Sequence, residues 1–232
     1  SYYLFGEAMG EAMATMSGYV QYQDARLEVD QQSGEIKFVN PANNIASLDL
    51  EAYEISSPGG ALNPVDWSSI AGNYDGQGNG SVDAGDWTVG SATNSALSEV
   101  ADPGGADGSI AIGSTVSLGA GAWIQNLTRD LSATFTGTDG IVRTLYIVYT
   151  GQENIAADLN FDGVVDSADW GIFINNAQVD LSGLTVPAAY QRGDLDGDLD
   201  NDLRDFVLFR EAFELHNPAP DAFEEMRSEE KK

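Results

Sequence analysis

Two twelve-residue stretches near the C-terminus carry the residue types and spacing of a hard-cation site. The first is Asp158-Leu-Asn160-Phe-Asp162-Gly163-Val164-Val165-Asp166-Ser-Ala-Asp169. A calcium ion wants about six to eight oxygens at about 2.3–2.6 Å, and side chains at loop positions 1, 3, 5 and 12 with a main-chain carbonyl at 7 converge on one centre. Those positions hold Asp158, Asn160, Asp162, Asp169 and, for the carbonyl, Val164. Asp166 at position 9 adds a further oxygen donor, and Gly163 at position 6 permits the sharp reversal between ligands. Val165 at position 8 is expected to point into a core. Position 12 carries Asp rather than the usual Glu.

The second stretch is Asp194-Leu-Asp196-Gly-Asp198-Leu199-Asp200-Asn201-Asp202-Leu-Arg-Asp205. Asp194, Asp196, Asp198 and Asp205 fall at positions 1, 3, 5 and 12, with Asp200 and Asp202 at 7 and 9. Leu199 replaces the glycine of position 6, and Asn201 the hydrophobe of position 8. Six aspartates in twelve residues repel one another strongly unless a cation sits among them. Calcium at two sites is therefore the expected cofactor. A third candidate is Asp75-Gly-Gln77-Gly-Asn79-Gly80-Ser-Val82-Asp83-Ala-Gly-Asp86, whose Val-Asp-Ala-Gly-Asp-Trp echoes Val165-Asp-Ser-Ala-Asp-Trp170. Its neutral Gln77 and the poor helix former that follows leave a solvated glycine-rich loop as the competing reading.

Helical runs follow both main loops, residues 167–176 and 203–213. Trp170, Phe173 and Ile174 in one, and Phe206, Phe209 and Phe213 in the other, mark apolar stripes. Facing stripes make a small shared core that the aspartates oppose until an ion neutralises them.

With these residues in view, the stretch from about 155 to 215 resembles the type I dockerin family. The loops begin 36 residues apart, each ends in Asp at position 12, and Gln191-Arg-Gly-Asp-Leu-Asp-Gly-Asp198 is close to the opening of a dockerin second repeat. The resemblance implies a calcium-folded loop–helix pair that docks onto a β-sandwich partner, a cohesin. It also implies recognition at loop positions 10 and 11, here Ser167-Ala168 and Leu203-Arg204, two pairs that do not match each other.

The remainder of the chain must position this unit. Residues 18–153 read as an antiparallel β-sandwich. Leu27 and Val29, Ile36 and Phe38, Leu48 and Leu50, Ile110 and Ile112, and Val116 and Leu118 keep a two-residue period. Gln32-Ser33-Gly34 makes a turn, and Asp139-Gly140 between residues 131–135 and 141–149 signals a hairpin. Residues 56–109, rich in Gly, Ser, Asn and Asp, read as a long excursion between strand sets. The expected fold is mainly β, with a small α-helical, dockerin-like calcium-binding domain at 154–216 and an acidic tail at 217–232. Residues 1–17 are expected to be a Met/Ala-rich arm or helix, in which the spacing would put Phe5, Met9, Met13 and Met16 on one face.

Charge narrows the partners. The 232 residues include 37 acids against 10 bases, a net charge of -27, which phosphate backbones and anionic lipid repel. Nucleic acid is excluded as an expectation, and no apolar run approaches the roughly 18 residues of a membrane span. Cysteine is absent and His216 is the only histidine, so thiolate and His-rich metal sites are unavailable to this sequence. Calcium can replace disulfides as the cross-link of a secreted fold, and a start at Ser1 fits either a processed export signal or a trimmed chain. The expected setting is extracellular or at the cell surface.

The expected role is structural or adhesive: calcium-dependent docking to a protein partner, other copies of the same chain included, head to tail and into a filament. A second version has the unit docking to a separate cohesin while the sandwich binds carbohydrate through Trp67, Trp87 or Trp123, although core packing is the commoner job of such residues. A glycosidase carboxylate pair arises by chance among so many acids, so no enzyme is expected. Arg192-Gly193-Asp194 and the glycosylation sequon Asn126-Leu-Thr128 are short strings with weaker claims.

Overall fold

The computed structural model describes residues 25–73, 87–102, 108–219 and 221–229. The N-terminal Met-rich stretch and the Asp75–Asp86 candidate loop lie outside the described residues.

Alternating burial builds the first half. In β1 (Arg26–Asp30) and β2 (Ile36–Asn40), Leu27, Val29, Ile36 and Phe38 are wholly buried, and Arg26, Glu28, Asp30 and Lys37 between them are half-buried, while Val39 and Asn40 are buried as well. The two strands pair antiparallel across the expected turn, where the Asp30 Oδ1 accepts from the Gln32 and Ser33 amides. Gly34 closes the turn at φ +65°, and a Cβ there would run into the Trp123 carbonyl. The second hairpin also forms: β8 (Ser132–Gly137) and β9 (Val142–Thr150) pair antiparallel around Gly140 at φ +72°. Arg143 holds Asp139 in that turn and lowers its carboxyl to about 2.

The remaining strands are β3 (Leu48–Ser56), β4 (Trp87–Ala92), β5 (Ala96–Ala101), β6 (Gly108–Ile110) and β7 (Ser114–Ser117). The sheet runs β4-β5-β3-β8-β9-β1-β2-β7, with β6 attached to β3. Strand β9 turns the corner: Val142–Leu145 pairs with β8, and Tyr146–Thr150 pairs with β1. The sheet thus curls over on itself, and its arms meet face to face, Phe38 edge-on to Tyr53 at 5.1 Å. Between them lies one apolar core that includes Trp123, Phe135, Leu62 and Ile70.

Three expectations need correction here. The sheet is not wholly antiparallel, because β1 runs parallel to β9. Strands β4 and β5 lie within the segment read as an excursion, with Trp87 and Leu97 buried. Ile112 falls outside the strands and is 44% exposed. A buried acid organises the same segment. Glu99 accepts hydrogen bonds from the Tyr53 hydroxyl and from the amides of Ile70 and Ala71, which open the short helix α1 (Ile70–Asn73).

Beyond β9 the chain is helical: α2 (Ser167–Asn175), α3 (Val186–Tyr190), α4 (Leu203–His216) and α5 (Ala222–Glu229). Trp170, Phe173, Phe209 and Phe213 pack a second core, with Trp170 5.6 Å from Phe209 ring to ring. Ile174 instead faces outward, 41% exposed. Helix α5 replaces much of the expected acidic tail, because Phe223 and Met226, three apart on one face, insert into this core. Among the described residues no helix is long and apolar enough to cross a membrane.

Candidate metal centre

Both acidic loops fold as the same structure. In the first, Asp169 Oδ1 accepts from the Leu159 and Asn160 amides and Oδ2 from the Asp166 amide. In the second, Asp205 Oδ1 accepts from Leu195 and Asp196 and Oδ2 from Asp202. Asp158 Oδ2 accepts from the Gly163 amide at 2.8 Å, and Asp194 Oδ2 from the Leu199 amide at 3.1 Å. The backbone repeats as well. Left-handed residues occur at Ala157, Phe161 and Gly163, and again at Gly193, Gly197 and Leu199. Each partner stands 36 residues after its counterpart.

These carboxylates also start the helices. Asp166 caps α2 by accepting from the Ala168 amide, and Asp169 completes the capping box; Asp202 and Asp205 do the same for α4. Position 9 of each loop, expected to lend an oxygen to the ion, thus also caps the helix with one of its two oxygens. One aspartate at position 12 ties loop closure to helix initiation.

Burial sorts the donors. Asp158, Asp169, Asp194 and Asp205 are nearly or wholly buried, whereas Asn160, Asp162, Asp196 and Asp198 stand exposed at the rim. In the second loop, carboxylate oxygens of Asp194, Asp196 and Asp205 lie within 4.8 Å of one another, as do those of Asp198, Asp200 and Asp205. Oxygens across a calcium ion stand about 4.6–5.2 Å apart, twice the bond length, so the spacing within each trio is compatible with a shared cation. Asp200 Oδ1 is buried without a hydrogen-bond partner, as an oxygen reserved for a cation would be. In the first loop the corresponding positions hold Asp158, Asn160, Asp162, the Val164 carbonyl and Asp169, and its three carboxylates do not come within 4.8 Å of one another as a group. Acidic clusters are common without an ion, so the fit is one of donor chemistry and spacing.

The two departures in the second loop have different explanations. Asn201 is fully buried, and its Nδ2 donates to the carbonyls of Phe173 and Arg192, cross-linking the loop to α2. Its counterpart Val165 is buried as expected. Leu199 has no such compensation: φ is +69° where glycine is the unstrained choice. That backbone costs leucine about 1–2 kcal/mol, so Leu199→Gly is expected to stabilise the C-terminal unit by about 1 kcal/mol. A urea midpoint that fell instead would contradict this.

Burial raises the carboxyls of Asp158, Asp169 and Asp194 above the ordinary carboxylate range. Asp196 is raised by desolvation and then by Asp198 and Asp205, and Asp200 by desolvation and then by Asp198 and Asp202. Between the ordinary value near 3.8 and these raised values, the folded chain binds more protons than the unfolded chain. Metal-free stability therefore falls as pH rises through that window. Thermal unfolding in chelator is expected to shift upward as pH drops from 7 towards about 5, and in calcium to shift downward as protons compete for the ligands. Parallel trends in the two buffers would contradict the assignment.

Other sequence features resolve against function. Trp87 and Trp123 are buried and Trp67 packs against the core, so these three do not form a sugar-stacking surface. Asn126 is buried with its amide donating to Ile124, which closes the sequon to modification in this fold. Asp194 of the Arg-Gly-Asp string is 2% exposed. His216 ends α4 as an exposed residue of its last turn.

No family model matches this chain, and no curated protein matches it. Two chains among the solved structures match. One is an uncharacterized protein from Nocardia farcinica described as having an immunoglobulin-like fold, 14% identical, covering 52% of this chain and 81% of its own, with a TM-score of 0.27. A likeness at that score carries no argument about function.

Proposed function

We propose that this chain is a calcium-binding structural or adhesive protein of the cell exterior, which joins protein partners, other copies of itself included, through its C-terminal loop–helix pair. The observation that carries the reading is the repeated loop: one hydrogen-bond pattern and one set of left-handed residues at a 36-residue offset, with buried aspartates at positions 1 and 12 of both copies. Such a unit brings more negative charge together than its small core readily tolerates, and a divalent cation resolves the conflict. On this reading Asp158, Asn160, Asp162, Val164 and Asp169 hold one ion, and Asp194, Asp196, Asp198, Asp200 and Asp205 a second. The ion supplies neutralisation and cross-linking, and no catalytic role is assigned.

The dockerin-like character belongs to the same proposal. Supporting it, positions 10 and 11 of both loops are exposed: Ser167, Ala168, Leu203 and Arg204. Leu203, Val207 and Leu215 are exposed apolar residues of α4, Leu203 and Leu215 being about three-quarters exposed. Arg204 folds back toward Asp196 at 3.5 Å, so its charge partly serves the loop. A docking face on one unit and a sandwich on the other make a heterologous contact, which propagates into rings or filaments.

Sizing the full chain by sedimentation in millimolar calcium and then in chelator tests this directly. Large species that dissolve in chelator, and that Leu203→Asp prevents, are the expected result. A monomer at high concentration in calcium would remove self-assembly and leave only docking to a separate partner.

A further inference from the structure

The two loops, alike inside, are held differently from outside. In each, the carbonyl of position 6 is fixed by a donor that does not belong to the loop. For Leu199 the donor is the Leu181 amide, 2.8 Å away, in the segment between α2 and α3. For Gly163 it is the Gln152 Nε2, 3.2 Å away. Gln152 has no counterpart in the second half, since the residue 36 positions on is Ala188.

Gln152 is in turn gripped by the sandwich. Its amide donates to Gln32 Oε1 at 2.9 Å, and its carbonyl accepts from Gln32 Nε2 at 2.6 Å, so one carboxamide from the β1–β2 turn clamps both main-chain groups. Gly151, at φ +82°, leaves room for that approach, where a Cβ would overlap the Gln32 carboxamide. Gln125 Nε2 braces the same turn at the Gln31 carbonyl, 3.0 Å away, while its own carbonyl accepts from Gln191 Nε2. Asn154 Nδ2 on the Asn126 carbonyl and Arg129 paired with Glu153 at 2.8 Å complete the seam.

We infer that Gln152 is a positioning residue through which the sandwich sets the cation affinity of the first loop, while the second loop is set within the C-terminal unit alone. Position 6 is bonded to position 7, and fixing the Gly163 carbonyl fixes the plane of the peptide that leads into Val164, whose carbonyl is the position-7 ligand. Releasing that plane leaves the carbonyl to be ordered when the ion arrives, which weakens binding. Coupling is reciprocal, so an ion in the first loop also tightens the Gln32–Gln152 clamp and stiffens the joint. The inference rests on the calcium reading of the loops.

The test is a calcium titration of the full chain followed by nuclear magnetic resonance at the Gly163 and Leu199 amides, one reporter per loop. Gln152→Met keeps the bulk and removes the donor; Gln32→Met breaks the clamp without approaching either loop. Each is expected to weaken the first site by about threefold, the size of one net hydrogen bond, and leave the second unchanged. Both variants change exposed side chains, and the sandwich resonances report whether the fold persists. Equal weakening of both sites, or none, would overturn the inference while the calcium reading stands. If neither reporter responds to calcium in the parent chain, the calcium reading itself fails, and the inference with it.

Discussion

Stripped of divalent cations, the C-terminal third is expected to lose much of its stability while the sandwich keeps its own. The second core rests on a handful of aromatic rings around Trp170, and no disulfide braces it, because the chain has no cysteine. Against that core stand Asp194 and Asp205, both buried, with oxygens within 4.8 Å of each other. Two charges at that distance repel by about 3 kcal/mol at an effective dielectric constant of about 20. The first loop adds Asp158 and Asp169, and a unit of this size has little stability to spare. The sandwich carries its own core and no such cluster among its described residues. Hydrogen exchange in chelator should show residues 155–229 much less protected than strands β1–β3, β8 and β9, with calcium restoring the former. Equal protection of both halves in chelator would contradict the expectation.

The second large effect belongs to position 12. Asp169→Ala leaves the amides of Leu159, Asn160 and Asp166 without their acceptor and dismantles the capping box of α2. Each buried donor left unpaired costs about 1–3 kcal/mol, and the lost cap about 1 kcal/mol more, so a loss of at least about 3 kcal/mol is expected in calcium. Asp205→Ala does the same to Leu195, Asp196 and Asp202 in the second loop. Asp169→Asn keeps the shape and one acceptor, so it separates closure of the loop from charge: calcium affinity falls while most of the metal-free stability remains. Urea unfolding followed at Trp170 measures both. An alanine variant within about 1 kcal/mol of the parent would remove the aspartate from its structural role.

Local patterns were readable where chemistry and geometry coincide. The Asp-Gly turn of the β8–β9 hairpin, the alternation of Leu27, Val29, Ile36 and Phe38, and burial of Val165 follow from residue type and spacing alone. Pairing of β1 with β9 left no such trace, because two strands more than a hundred residues apart meet through the folding of the whole sheet. Strands β4 and β5 are hidden by composition: Thr88, Gly90, Ser91 and Ser98 look like loop, while Trp87 and Leu97 are the apolar marks of the buried face. Helix α5 was overlooked among its acids, though Phe223 and Met226 carried the helical spacing. In the loops, the repeated carboxylate positions are legible, but the duties of Asp166 and Asp202 as caps, and of Asn201 as a cross-link, depend on where neighbouring carbonyls and amides fall.

Calorimetric titration of calcium into the metal-free full chain tests the central claim most directly. Uptake of at least two ions per chain is predicted, with one fewer in Asp169→Ala and one fewer in Asp205→Ala. Absence of any uptake, with the loops equally ordered before and after titration, would contradict the account.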